Sequence, residues 1–346
     1  MGIRQLIGRT MAAAAFLYCL PPSAMAQTAT LKLAHHVAPQ HPMSVFLQNW
    51  ADGLRERSGG RLDISIYPSQ QMGPAPGNHR MVTTGVADIA WLLHGLTPEL
   101  FPLTGIAELP FMVDGAPAGA KILNDPELRR KYLDPEHKNM KVLWLFTSPA
   151  GNLNMGKEKV DSVESMRGKR LRFPSRAIRD YINELGATPQ ATSPANMLES
   201  LQKGTIDGAF IDWGGAGLAF KLGPYVSYTT ELGAYVSTMC VCMNNDAYEK
   251  LPADLKAMFD ASIANRETEI GELWAASEAA GKAAMLKDGT QAVELAPQEM
   301  EKFRQAGAAS GAAYVESLAK RGLPAQEVFE RMKTLSAQAA QNPRQQ

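Results

Sequence analysis

Apolar and polar residues alternate through residues 28–34 and again through 62–67, which predicts two short strands. The first runs into the loop His35-His36-Val37-Ala38-Pro39, and Pro68 closes the second. Between them Val45, Phe46, Trp50 and Leu54 recur near every third or fourth position, so residues 42–58 predict a helix stopped by Gly59-Gly60. A helix over 79–84 and a strand over 87–92 continue the series. Strand, helix, strand, helix is the order of a parallel sheet with helical crossovers. The Pro- and Gly-containing stretch 97–117 is expected to wrap this unit, and 125–132 predicts a short helix.

The same order starts afresh with a strand at 142–146 and a Gly/Asn-bearing segment at 149–154. A strand within 168–174 is stopped by Pro174, helices over 176–185 and 196–203 end at Gly186 and Gly204, and 206–211 predicts the strand that follows. The pattern divides the chain into lobe I (27–149) and lobe II (150–235). Residues 236–280 are expected to return to lobe I as a hinge strand and then a long helix. No proline interrupts 253–285, which predicts one helix of about 30 residues, roughly 45 Å long, lying across both lobes. Two last helices, 298–321 and 325–340, are expected to pack mainly on lobe II, with 342–346 fraying. The fold class is α/β, two-lobed, each lobe a mixed sheet flanked by helices.

The first 26 residues fit none of this. Arg4 and Arg9 precede a short apolar run at 11–20, and Ala24-Met25-Ala26 offers a small-x-small cleavage site. That is the pattern of an export signal, and the run is too short to span a bilayer. Cleavage near Ala26 leaves about 320 residues, long for a single core. The whole chain has 35 basic and 35 acidic residues, a balance that gives no support to nucleic-acid binding or an electrostatic membrane anchor. Cys240 and Cys242 alternate on a predicted strand, so both fall on one face. They read most simply as small core residues, with a bridge between them left open.

The segment Met166-Arg167-Gly168-Lys169-Arg170-Leu171-Arg172-Phe173-Pro174 places an arginine at the end of a proline-stopped strand. A guanidinium there offers two parallel N–H groups to a carboxylate and keeps its charge at every relevant pH. The segment resembles a signature of the DctP-type solute-binding proteins of tripartite ATP-independent periplasmic (TRAP) transporters. Further matching stretches follow in the same order: Tyr67 to Gly73, Ala87-Asp88-Ile89-Ala90, Glu108-Leu109-Pro110-Phe111, Leu185 to Pro189, Leu198 to Gly208, and Leu251-Pro252. The resemblance implies a periplasmic two-lobed binding protein that captures a small organic acid on Arg172 and delivers it to the two membrane permease subunits. It implies no cofactor and no catalysis, and a monomer.

Two departures narrow the ligand. The family's second arginine, about twenty residues earlier, falls near Asn152, which could donate a hydrogen bond in its place. Beyond Asp207-Gly208 the family's polar residues give way to Ile211, Asp212 and Trp213. Losing a cation and gaining an indole favours a monocarboxylate with an apolar, aromatic or hydroxylated body over a dicarboxylate. Trp213 could equally be a core residue. His35, Trp91, His94 and Tyr235 are further candidates to face the cleft. A rival of another class is a metal-binding protein using His35, His36 and His41, with His94, although Pro39 and Pro42 make their segment a loop. No nucleophile elbow, phosphate loop or zinc-protease helix appears.

Overall fold

A computed structural model describes residues 27–341, so the segment 1–26, expected to be an export signal, and the tail 342–346, expected to fray, lie outside the described residues. Eleven strands form two sheets: β1 (Ala29–Ala34), β2 (Leu62–Tyr67), β3 (Ile89–Leu93), β4 (Met140–Thr147), β5 (Gly151–Met155), β6 (Arg170–Arg172), β7 (Thr188–Gln190), β8 (Gly208–Ile211), β9 (Tyr228–Tyr235), β10 (Thr238–Asn244) and β11 (Gln291–Val293). The first sheet has the order β2-β1-β3-β10-β4 and the second β11-β9-β5-β8-β6-β7. Both are mixed. β1 is parallel to β2 and β3, while β10 enters antiparallel between β3 and β4. In the second sheet β6 is parallel to β7 and β8, and β5 is antiparallel to β8 and β9.

The strands cross between lobes at two neighbouring points. After β4 the chain passes through Ser148 into β5, and after β9 it returns through Ser237 into β10. Ser148 N donates to Ser237 O at 2.9 Å, and Ser237 N donates to Ser148 Oγ at 2.9 Å. The crossings are thus tied to each other, which suits a hinge whose few residues absorb a rotation.

Residues 253–285 do not form one helix. Helix Ala253–Ile263 ends and helix Glu267–Lys287 begins, with Asn265 between them at φ 58°. The Ile263 carbonyl accepts a hydrogen bond from the Trp144 indole at 2.9 Å. Asn tolerates the left-handed backbone better than most residues, so the break falls there. The second helix still bridges the lobes, with Gly271 near Pro117 on one side and Gly281 against the backbone of Trp213 and Gly214 on the other.

The C-terminal helices also depart from expectation. Helix Pro297–Ala319 lies on lobe II's helix Arg176–Glu184, where Tyr181 Oη donates to Phe303 O at 3.1 Å. Its far end and helix Ala325–Gln341 instead join the lobe I core: Leu318, Val328 and Met332 pack among Ile122, Leu128 and Leu145. Cys240 and Cys242 are joined in a disulfide across Val241 and fully buried, so they are a bridge rather than two separate core thiols. No helix among the described residues is long and apolar enough to cross a membrane.

The histidines are built into lobe I. His35 Nε2 lies 3.1 Å from Ser44 Oγ, and His41 Nδ1 accepts from Met43 N at the start of helix Pro42–Arg57. His94 Nε2 sits 3.1 Å from His137 Nε2, and His137 Nδ1 is 2.8 Å from Leu133 O. Burial pushes His35 and His41 down to about 4 and His36 to about 3. The rival zinc trio of His35, His36 and His41 is not among the groups whose ligand atoms converge. Among the described residues the histidine, cysteine and carboxylate atoms that converge are those of His94, His137 and Cys240, and Cys240 is spent in the disulfide.

Two outcomes follow from this packing. A Cβ at Gly281 would lie 2.6 Å from the Gly214 Cα and closer still to the Trp213 carbonyl. Gly281→Ala is expected to cost about 1–3 kcal/mol by overpacking, measured by chemical denaturation. The depressed histidines stabilise the fold above their unfolded value of 6.5, and that contribution is lost as pH falls through it toward about 4. Nitrogen-15 histidine spectra are therefore expected to show His35, His36 and His41 neutral at pH 5.5. Titration of these rings near 6.5 would contradict their burial.

Candidate functional site

β6 is three residues long, and alternation sends Leu171 to the lobe II core while Arg170 and Arg172 take the opposite face. Their fates differ. Arg170 stays exposed in a two-pronged pair with Asp207, at 2.7 Å and 3.1 Å. Arg172 turns into the gap between lobes and is only 4% exposed. Its Nη1 donates to Phe210 O at 3.0 Å and its Nε to Thr192 O at 3.3 Å. Tyr235 Oη donates to the same Phe210 carbonyl at 3.0 Å, so phenol and guanidinium are fixed side by side. Burial lowers Arg172 from its usual value, yet a guanidinium keeps its charge in proteins.

Arg172, Tyr235 and Asp212 form the polar part of a cavity with about 60 Å³ of free space for water-sized molecules. Lobe I contributes His36, His41, Trp91, Leu93 and Met239; lobe II adds Met197, Ile211 and Phe220, and the bridging helix adds Trp274. The hinge residues Ser148 and Ser237 line it too. The His36 ring lies tilted against Trp91 at 4.6 Å, and His41 meets Trp274 edge-on at 5.4 Å. The indole N–H groups of Trp91 and Trp274 and Nδ1 of His36 are buried without a partner within the protein.

Beside the cation lies a pair of carboxyl groups. Asp212 Oδ1 accepts from Gly215 N at 2.7 Å. Glu278, from the bridging helix, accepts from Trp213 N at 3.2 Å and Gly214 N at 2.9 Å. The two carboxyl groups thus cap consecutive N–H groups of one short turn and lie close together. Burial pushes both well above the ordinary carboxylate range; Arg172 works against this at Asp212, and Lys282 works against it at Glu278.

Of the residues singled out in the sequence, Arg172, Asp212, Trp91 and Tyr235 converge on the cavity, together with His36. Four do not line it. Asn152 lies opposite Ile211 in the sheet, and its Oδ1 accepts from Gly233 N at 3.0 Å. Trp213 packs in a lobe II cluster with Met197 and Met285, under Lys282. His35 is held by Ser44, and His94 faces His137 and Phe101 inside lobe I. Glu278 and Trp274 escaped the sequence reading. They stand four apart on one helix, a spacing that shares a face, but nothing local says that the face meets a cleft.

The profile of the DctP family, described as bacterial extracellular solute-binding protein family 7, matches residues 33–317. Two solved structures share the fold closely. One is a marine-metagenome TRAP solute-binding protein specific for aromatic acid ligands, in complex with metahydroxyphenylacetate; it is 27% identical with a TM-score of 0.85, over 90% of this chain and 99% of that one. The other, a TRAP solute-binding protein from Rhodoferax ferrireducens T118 with copurified benzoate, is also 27% identical with a TM-score of 0.85, over 91% and 100%. Among curated relatives, the outer membrane transporter protein TsaT of Comamonas testosteroni is 28% identical over 59% of this chain, and the chain spans 60% of TsaT's length. The match over residues 33–317 and the shared two-lobed fold place the chain in the DctP family, bacterial extracellular solute-binding protein family 7, the solute-binding proteins of TRAP transporters.

Proposed function

We propose that this chain is the periplasmic receptor of a TRAP transporter and captures a small monocarboxylate with an aromatic body. After export it hands that acid, chemically unchanged, to the two permease subunits in the membrane. The observation that carries the ligand class is the charge of the cavity wall. Among the described residues Arg172 is the one Lys or Arg lining it, His36 and His41 are held neutral by burial, and Asp212 stands beside the cation. One carboxylate would find a two-pronged partner; a second would meet a carboxyl group.

The rest of the wall fits an apolar ring. Trp91, Trp274, Phe220, Met197 and Met239 surround the space, and the two unpartnered indole N–H groups are suited to a ring hydroxyl or a carboxylate oxygen. The two TRAP proteins at 27% identity that hold aromatic acids support the same reading. Capture works as a clamp. The acid docks on Arg172 of lobe II, lobe I rotates at the Ser148–Ser237 hinge, and Trp91 covers the ring. Closure excludes water and so strengthens the charge-assisted bonds. The ligand drives it only by binding the closed state better than the open one.

In a thermal-shift panel at equal concentration, benzoate and 3-hydroxybenzoate are expected to raise the melting temperature well above any shift from succinate. A larger shift with succinate would contradict the monocarboxylate reading. By calorimetry, Arg172→Ala is expected to weaken the best acid by about 100-fold or more, the loss of one partner of a buried charge pair. Arg172→Lys is expected to lose most of that too, because an ammonium cannot make the two-pronged contact. Unchanged affinity in either variant would remove Arg172 from the site.

A further inference from the structure

We infer that this site takes up a proton together with its carboxylate, and that the Asp212–Glu278 pair holds it. The inference rests on Arg172 as the carboxylate's seat. The pair is built rather than accidental. Glu278 is clamped by the N–H groups of Trp213 and Gly214 and Asp212 by that of Gly215, so the two carboxyl groups sit together on one turn. Two buried carboxyl groups held on one turn cannot both ionise at neutral pH, so one keeps a proton and the pair carries one negative charge.

The surrounding charges make a second proton necessary on binding. Arg172 on β6 faces Asp212 and balances the pair's single charge. Lys282, one turn beyond Glu278, is ion-paired with Glu231 of β9. Tyr235 on β9 is a buried, neutral phenol, and beyond it Glu108 is bound by Thr238 N and Oγ1 at 2.7 Å and 2.8 Å. From lobe I the cavity is faced by His36 and His41, both neutral. The site without ligand is therefore close to electroneutral. Bringing a carboxylate onto Arg172 would leave one uncompensated negative charge in a largely apolar cavity, which disfavours binding. Protonating the second carboxyl group removes that charge. The pair would also discriminate: a dianion would add a further charge that the site has no group left to neutralise.

The alternative is a purely structural pair that ties the bridging helix to residues 212–215. Proton counting separates the two. Benzoate binding is titrated calorimetrically at pH 7 in buffers of different ionisation enthalpy, and its Kd is followed from about pH 8 to about pH 6. Wild type is expected to take up close to one proton, with Kd falling up to tenfold per pH unit on acidification. The double variant Asp212→Asn/Glu278→Gln, which mimics the doubly protonated pair, is expected to take up none. Its Kd at pH 8 is expected to match that of wild type at pH 6. Wild-type binding without proton exchange, at constant Kd across this range, overturns the inference whatever the variant does. Wild-type uptake persisting in a folded double variant overturns the assignment to this pair. If benzoate, 3-hydroxybenzoate and mandelate give no binding heat at any pH, the aromatic-acid reading falls instead, and the inference with it.

Discussion

A guanidinium taken out of water between two lobes must be compensated by fixed partners, and that requirement organises the centre of this molecule. Arg172 is compensated twice over. Backbone carbonyls of Phe210 and Thr192 take two of its N–H groups, and Asp212 supplies the opposing charge. Each partner is delivered by a different piece of lobe II: β8 brings Phe210, the turn after it brings Asp212, and the loop before residue 194 brings Thr192. The cation is therefore positioned before any ligand arrives, which keeps the ordering cost out of the binding step.

The bridging helix depends on the same centre. Gly281 lets it approach the backbone of Trp213 and Gly214, and that approach puts Glu278 onto the N–H groups that begin the turn after Asp212. Four residues earlier the helix presents Trp274 to the cavity from the side of lobe I. One helix thus supplies both an apolar wall and a carboxyl group, and it spans the two bodies whose closure the clamp requires. Its separation from helix Ala253–Ile263 at Asn265 frees its direction from that of the preceding helix.

Much of the fold was legible because it is written in local periodicity. Alternation marked β1 and β2, three- and four-residue spacing marked helix Pro42–Arg57, and Gly186 marked the end of helix Arg176–Glu184. Arg172 was legible because a proline-stopped strand end and a matching family signature coincide there. What stayed hidden depends on partners distant in sequence. Trp144 claims the Ile263 carbonyl and ends a helix that no proline ends. Helix Ala325–Gln341 finds its apolar partner in lobe I, a choice its own amphipathic face cannot express. Asn152 looked like a substitute for a missing cation, but its strand register turns it to Gly233. His94 sits at a strand end, as a cleft residue would, yet its ring is taken by His137.

The central claim is that a single carboxylate sits on Arg172 with an aromatic body between the lobes. The most direct test is a crystal structure of the protein with benzoate. The account predicts both carboxylate oxygens within hydrogen-bonding distance of the Arg172 guanidinium, with the ring enclosed by Trp91, Trp274 and Phe220. A carboxylate bound elsewhere, with Arg172 still committed only to Phe210 and Thr192, would contradict it.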